Sequence, residues 1–154
     1  MTTDLWRFAQ DLYQQPGVEA ACLRLQADGA DVCLLLCAAW LERRQIDCSV
    51  ERAEALRQLA QPWQQQVVIP LRQLRQSWRE QAAGDDALAR LREQVKQLEL
   101  EAERGQLERL AQCSEAWPRA DATTSAPWLD ALAPEPANRD ALQTLRIAAT
   151  HLTA

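Results

Sequence analysis

Apolar residues recur at helical spacing along nearly the whole chain. Leu5, Phe8, Ala9 and Leu12 mark one face of a first helix over about residues 3–14. Pro16 suits the first turn of the next helix, where a missing N–H costs nothing. Val18, Ala21, Cys22 and Leu25 then repeat at i, i+3, i+4, i+7, and Asp28-Gly29 ends the pattern. Asp31 is placed to cap a third helix. From Val32 to Leu41 every residue is apolar, which predicts a helix buried on all sides. The run is about half of the ~20 residues needed to cross a bilayer, so it predicts a central core helix. Glu42, Arg43 and Arg44 mark its exit to solvent.

Beyond the hairpin, Ser49 is placed to cap a helix carrying Leu56, Leu59, Ala60 and Trp63. Pro62 predicts a break or kink there. Trp63, Val67, Leu71, Leu74 and Trp78 would share the buried face of the next segment, with a kink or a new helix near Pro70. Gly84-Asp85-Asp86 is a clear boundary. Leu88, Leu91, Val95, Leu98 and Ala102 keep a 3-4-3-4 spacing, the seam of a coiled-coil-like helix. Gly105 interrupts the seam, and Leu107 and Leu110 resume out of step. Residues 118–137 shift in composition toward Pro, Ala, Ser and Thr and read as a linker, within which Trp128, Leu129 and Leu132 can dock a single turn. Leu142, Leu145 and Ala149 mark a terminal helix.

The fold expected is all-α, a compact helical bundle with a long helix in the C-terminal half and a Pro-rich linker before a terminal helix. The organisation expected is one domain over residues 1–154, with a core module over 1–82, a long helix over 83–117, a linker over 118–137 and a terminal helix over 138–154. Composition agrees: the chain has only four Gly residues and is 47% apolar, and Val67-Val68-Ile69 is its sole β-branched cluster. A formal charge of −5 argues against general nucleic-acid binding, which depends on neutralising phosphates. The five Cys are odd in number, lack a C-x-x-C pair and fall largely on apolar faces, as reduced thiols do. MTTDLWRF has no basic segment leading into an apolar run, so a cytoplasmic location without membrane association is expected.

Four constellations could carry chemistry. Cys33 and Cys37 lie at i, i+4, a spacing able to hold a soft metal with Cys22 opposite, but thiolates are costly among leucines, so no metal is expected. Arg72, Arg75 and Arg79 lie at i, i+3, i+7 with Arg57 upstream. Three guanidiniums on one face can grip a phosphate or carboxylate, or pair with acids such as Glu19, Asp31 and Glu42. This stripe, with Asp31 or Glu19, is the leading ligand-site candidate. Of six Trp, Trp6, Trp40, Trp63 and Trp78 fit core stripes, while Trp117 and Trp128 flank the linker and are candidates for a partner surface. His151 is the only His and sits near the C-terminus, no Ser lies in a nucleophile elbow, and there is no Gly-rich phosphate loop. No catalytic residue is assigned and no cofactor is implied.

The segment LWRFAQDLYQQPGVEAACLRLQADGADVCLLLCAAWL, with VVIPLRQLRQSWR after it, resembles an uncharacterised family of short proteobacterial helical proteins known only as a domain of unknown function. The resemblance covers about Leu5 to Arg79. It implies a cytoplasmic helical protein, with the first half as the defining module and the second a variable extension. The family pattern carries Asn where this chain has Cys33, which weakens a metal role further. The resemblance brings no activity and no catalytic residue. The function expected is therefore non-enzymatic: a protein-interaction or regulatory module, with a protein partner or a second copy engaged through Leu88 to Leu110. The alternative is a small-molecule or anion binder, or an enzyme, using the arginine stripe.

Overall fold

The computed structural model describes residues 3–119, 127–135 and 137–154. Residues 120–126 and 136, within the expected linker, lie outside the described residues. Among those described the chain is helical, with one isolated bridge between Ile46 and Arg119.

The centre is the apolar helix. Helix α1 (Thr3–Tyr13) leads through Gly17, in the left-handed region at φ 81°, to α2 (Val18–Ala27) and then α3 (Val32–Arg43). Gly29 makes the α2–α3 turn at φ 91°, which glycine adopts without a Cβ penalty. Asp31 caps α3, its Oδ1 accepting from the Leu34 N–H at 3.2 Å. Every residue from Cys33 to Leu41 is buried. Helix α3 is wrapped by α1, α2 and four later helices: α4 (Val50–Trp63), α7 (Asp86–Ser114), α8 (Trp128–Leu132) and α9 (Arg139–Ala149). A helix apolar all round needs such a sheath, because each face left in water would forgo the stabilisation of burial.

The second half of the chain folds back on the first. Helix α9 packs on α2, and α8 on α3. Glu42, at the end of α3, joins them: it accepts from both Nε and Nη2 of Arg146 at 2.8 and 2.9 Å and from the Leu129 N–H at 2.8 Å. Trp128 is fully buried and donates its indole N–H to the Ile46 carbonyl at 2.7 Å. A short segment expected as part of a linker is thus a plug in the core.

The helix after Ser49 does not break at Pro62, but a new α-helix does begin beside Pro70, as expected, after a π turn. Ser49 caps α4, accepting from Arg52 N–H at 3.1 Å, and the helix runs past Pro62 into a wide π turn over Gln64–Val68, then α5 (Ile69–Ser77) and α6 (Arg79–Ala82). The Ile69 N–H reaches the Gln64 carbonyl, five residues back. A π turn takes in one extra residue, so every side chain beyond it is rotated by about 100° relative to a regular helix. Val68, not Val67, is therefore fully buried, and Leu74 is exposed. The face continuing from Trp63 is Val68, Arg72 and Arg75, which overturns the expected stripe of Val67, Leu71 and Leu74.

Helix α7, capped by Asp85 accepting from Leu88 N–H, passes through Gly105 without a break. A Cβ at Gly105 would stand 3.5 Å from the Trp63 ring, in the strip where α4 meets α7. Trp63 donates its indole N–H to the Ala102 carbonyl at 2.8 Å, and the Arg109 guanidinium lies 3.7 Å over its ring. The expected seam divides. Val95 and Ala102 face the core with Leu107 and Leu110, while Leu91 and Leu98 stay about half exposed at 50% and 51%.

Candidate functional site

The rotated face of α5 meets α7 in a cluster of charges. Glu99, whose side chain is only 8% exposed, accepts from Nε of Arg72 at 3.1 Å and from Nε of Arg75 at 2.5 Å. Nη2 of Arg75 also reaches Glu99 at 3.3 Å. Nη2 of Arg72 approaches Glu103 at 3.5 Å, the loosest contact of the four. Two guanidiniums thus share one carboxylate, with a second carboxylate one turn on. The α5 backbone that carries them is itself braced from α7: Nε of Arg92 donates to the Arg75 carbonyl at 2.9 Å.

This cluster forms one wall of a cleft of about 600 Å³. Helix α1 contributes Trp6, Ala9, Gln10 and Tyr13, α2 contributes Glu19, Cys22 and Leu23, and α3 contributes Val32, Cys33 and Leu36. Arg72 and Arg75 come from α5, and Lys96, Glu99, Leu100, Glu103 and Leu107 from α7. A concave, largely apolar wall with a few convergent charges is the general form of a small-molecule site.

Burial shapes the titration of these groups. Desolvation, reinforced by the charge of Glu99 and opposed by Arg72, pushes the Glu103 carboxyl up to about 7. Burial pushes the Cys22 thiol up to about 12 and raises Cys33 and Tyr13 as well. These thiols are therefore protonated at neutral pH, unlike the thiolates that serve as nucleophiles or metal ligands. Cys33 is buried at the cleft wall and directs its Sγ toward the Glu103 carbonyl at 3.9 Å. Among the described residues no group of His, Cys, Asp and Glu could hold a metal ion.

The sequence-predicted residues scatter around this cleft. Arg72, Arg75 and Glu19 line it. Arg79 does not, because Trp78 separates α5 from α6 and leaves Arg79 exposed. Arg57 lies elsewhere, donating to the Ala131 carbonyl and pairing with Glu54. Asp31 stands behind the site, holding the α3 cap and accepting from Nε2 of Gln106 at 2.6 Å. Glu42 belongs to the Arg146 pair. The acids that neutralise the stripe are therefore Glu99 and Glu103, and not Asp31 or Glu42. Trp117 and Trp128 are not a free aromatic pair. They stack on each other at 5.7 Å, with Arg52 over Trp117 and Trp128 wholly enclosed. Glu99 and Glu103, missed from sequence, carried one usable signal: acids at i, i+4 on the helix face of Val95 and Ala102.

The family model described as "Protein of unknown function (DUF2390)" matches residues 4–110. The chain belongs to that family. The DUF2390 match runs past Arg79 through most of α7, so both walls of the cleft, including Glu99 and Glu103, lie within it. The long helix is therefore part of the family's module and not an extension of it. Neither a curated protein nor a solved structure matches the chain.

Proposed function

We propose that the protein binds a small organic molecule in the cleft between α1, α2, α3, α5 and α7. The observation that carries this reading is the convergence of Arg72, Arg75, Lys96, Glu99 and Glu103 on one side of a concavity otherwise walled by Trp6, Leu36, Leu100 and Leu107. Perturbed titration of a carboxyl inside a cleft is a further mark of a working site. The protein-interaction reading rests on less. Of the α7 seam, Leu91 and Leu98 are exposed and Leu88 is half-buried, while Val95 and Ala102 are turned to the core.

The test is a thermal-shift screen of organic acids, phosphates and neutral apolar molecules against the protein and a Leu100→Trp variant. Leu100 lines the cleft and is 46% exposed, so the larger ring narrows the site without disturbing the core. Ligands are expected to raise Tm in the wild type by mass action and to lose that effect in the variant, whose own Tm stays unchanged. A shift of equal size in both proteins, or no ligand at all, would contradict the proposal.

A further inference from the structure

Within the charge cluster the two carboxylates are not equivalent. Glu99 is held by three guanidinium contacts. Glu103 has one, at 3.5 Å from Nη2 of Arg72, and its side chain is the more open of the two, 28% exposed against 8% for Glu99. With Glu103 neutral, Arg72, Arg75 and Glu99 together carry one net positive charge inside a desolvated space. That charge faces Trp6, Leu36 and Leu100 across the cleft. An anion with an apolar tail satisfies both walls at once: its charged end replaces Glu103 against Arg72, and its tail covers the apolar side.

We propose that the cleft takes up an amphipathic organic carboxylate together with one proton, which resides on Glu103. In the bound state Glu103 is a carboxylic acid donating its O–H to the ligand's carboxylate, and Nη2 of Arg72 donates to the same carboxylate. No covalent bond changes. The ligand brings one negative charge, the proton one positive, and the charge of the cleft is conserved.

Among the carboxylates at the cleft, Asp31 is already occupied by the Leu34 N–H and the Gln106 amide, whereas Glu103 has only the loose contact with Arg72. Tyr13 faces Glu103 from α1, Cys33 and the capping Asp31 from α3, Arg72 and Arg75 from α5, and Glu99 from its own helix, with Glu19 and Cys22 of α2 and Lys96 of α7 lining the same cleft. The thiols and the phenol are already neutral near pH 7, since burial raises each of them. Glu99 already accepts from both guanidiniums. Glu103 is pushed up to about 7, first by burial.

The inference rests on the cleft being a ligand site, and the experiment separates the two. Octanoate and its neutral counterpart 1-octanol are titrated calorimetrically into the wild type and a Glu103→Gln variant between pH 6 and pH 8.5, where octanoate stays ionised. Octanoate affinity in the wild type is expected to fall about tenfold from pH 6 to pH 8 and to keep falling above it, as the protonated fraction of Glu103 falls. The Glu103→Gln variant, nearly isosteric and always neutral, is expected to hold the pH 6 affinity throughout. Wild-type affinity that does not change with pH, or a pH dependence that survives in the variant, overturns the inference. So does octanol binding while octanoate fails at pH 6, which leaves the cleft itself as a ligand site.

Discussion

Glu99→Ala is expected to destabilise the protein by about 3–5 kcal/mol, the size seen when one partner of a buried ion pair is removed. Its carboxylate accepts from both Arg72 and Arg75, whose side chains are 12% and 23% exposed. Without it, two guanidiniums repel each other in a partly dry space with only Glu103 nearby. Chemical denaturation measures the loss directly. The companion variant replaces Arg72, Arg75 and Glu99 together with leucine. Removing these three leaves only Glu103, whose carboxyl burial already pushes up to about 7 and which can take up a proton instead of standing as an unpaired charge. Replacing a buried ion cluster by apolar residues is often neutral or stabilising. The triple variant is expected within about 1 kcal/mol of the wild type. A triple variant as unstable as Glu99→Ala would show that the cluster is there to hold the fold, and the ligand reading would lose its ground.

Trp128→Ala is expected to cost a similar amount, about 3–5 kcal/mol, typical of emptying a buried aromatic site. The ring is fully buried, stacks on Trp117 and donates to the Ile46 carbonyl. Truncation leaves a cavity and an unpaired acceptor. For a chain of 154 residues that loss lowers Tm by on the order of 10 °C. The melting curve is expected to remain a single transition, shifted as a whole. Two separate transitions, with the first half of the chain unaffected, would mean that α8 and α9 are an appendage and not part of one cooperative unit.

Much of the architecture could be read from local pattern. The α2–α3 hairpin, the caps at Asp31 and Ser49, the boundary at Gly84-Asp85-Asp86 and the all-round burial of α3 obey rules that act within a few residues. The site was harder to read, and the reason is one residue of helical register. Trp63, Val67, Leu71 and Leu74 fit a regular helix. The π turn between Pro62 and Pro70 inserts an extra residue, and the face that meets α7 becomes Val68, Arg72 and Arg75. Periodicity detects helices but is blind to such an insertion. The partners Glu99 and Glu103 were hidden for a related reason. A buried acid looks like a solvated one until the opposing helix is known. The docked turn at Trp128, Leu129 and Leu132 was legible, but a proline-rich composition did not show that the Trp128 ring is sealed inside the core and not offered to a partner.

Entry of a ligand into this cleft is the central claim, and the Trp indole N–H signals report on it directly. Trp6 lines the cleft, whereas Trp128 is sealed at the far end of α3, bonded to Ile46. In a nitrogen-edited NMR titration with octanoate at pH 6, the Trp6 indole signal is expected to move progressively and saturate while that of Trp128 stays fixed. Saturable movement that leaves Trp6 untouched, or no movement anywhere, would contradict the claim.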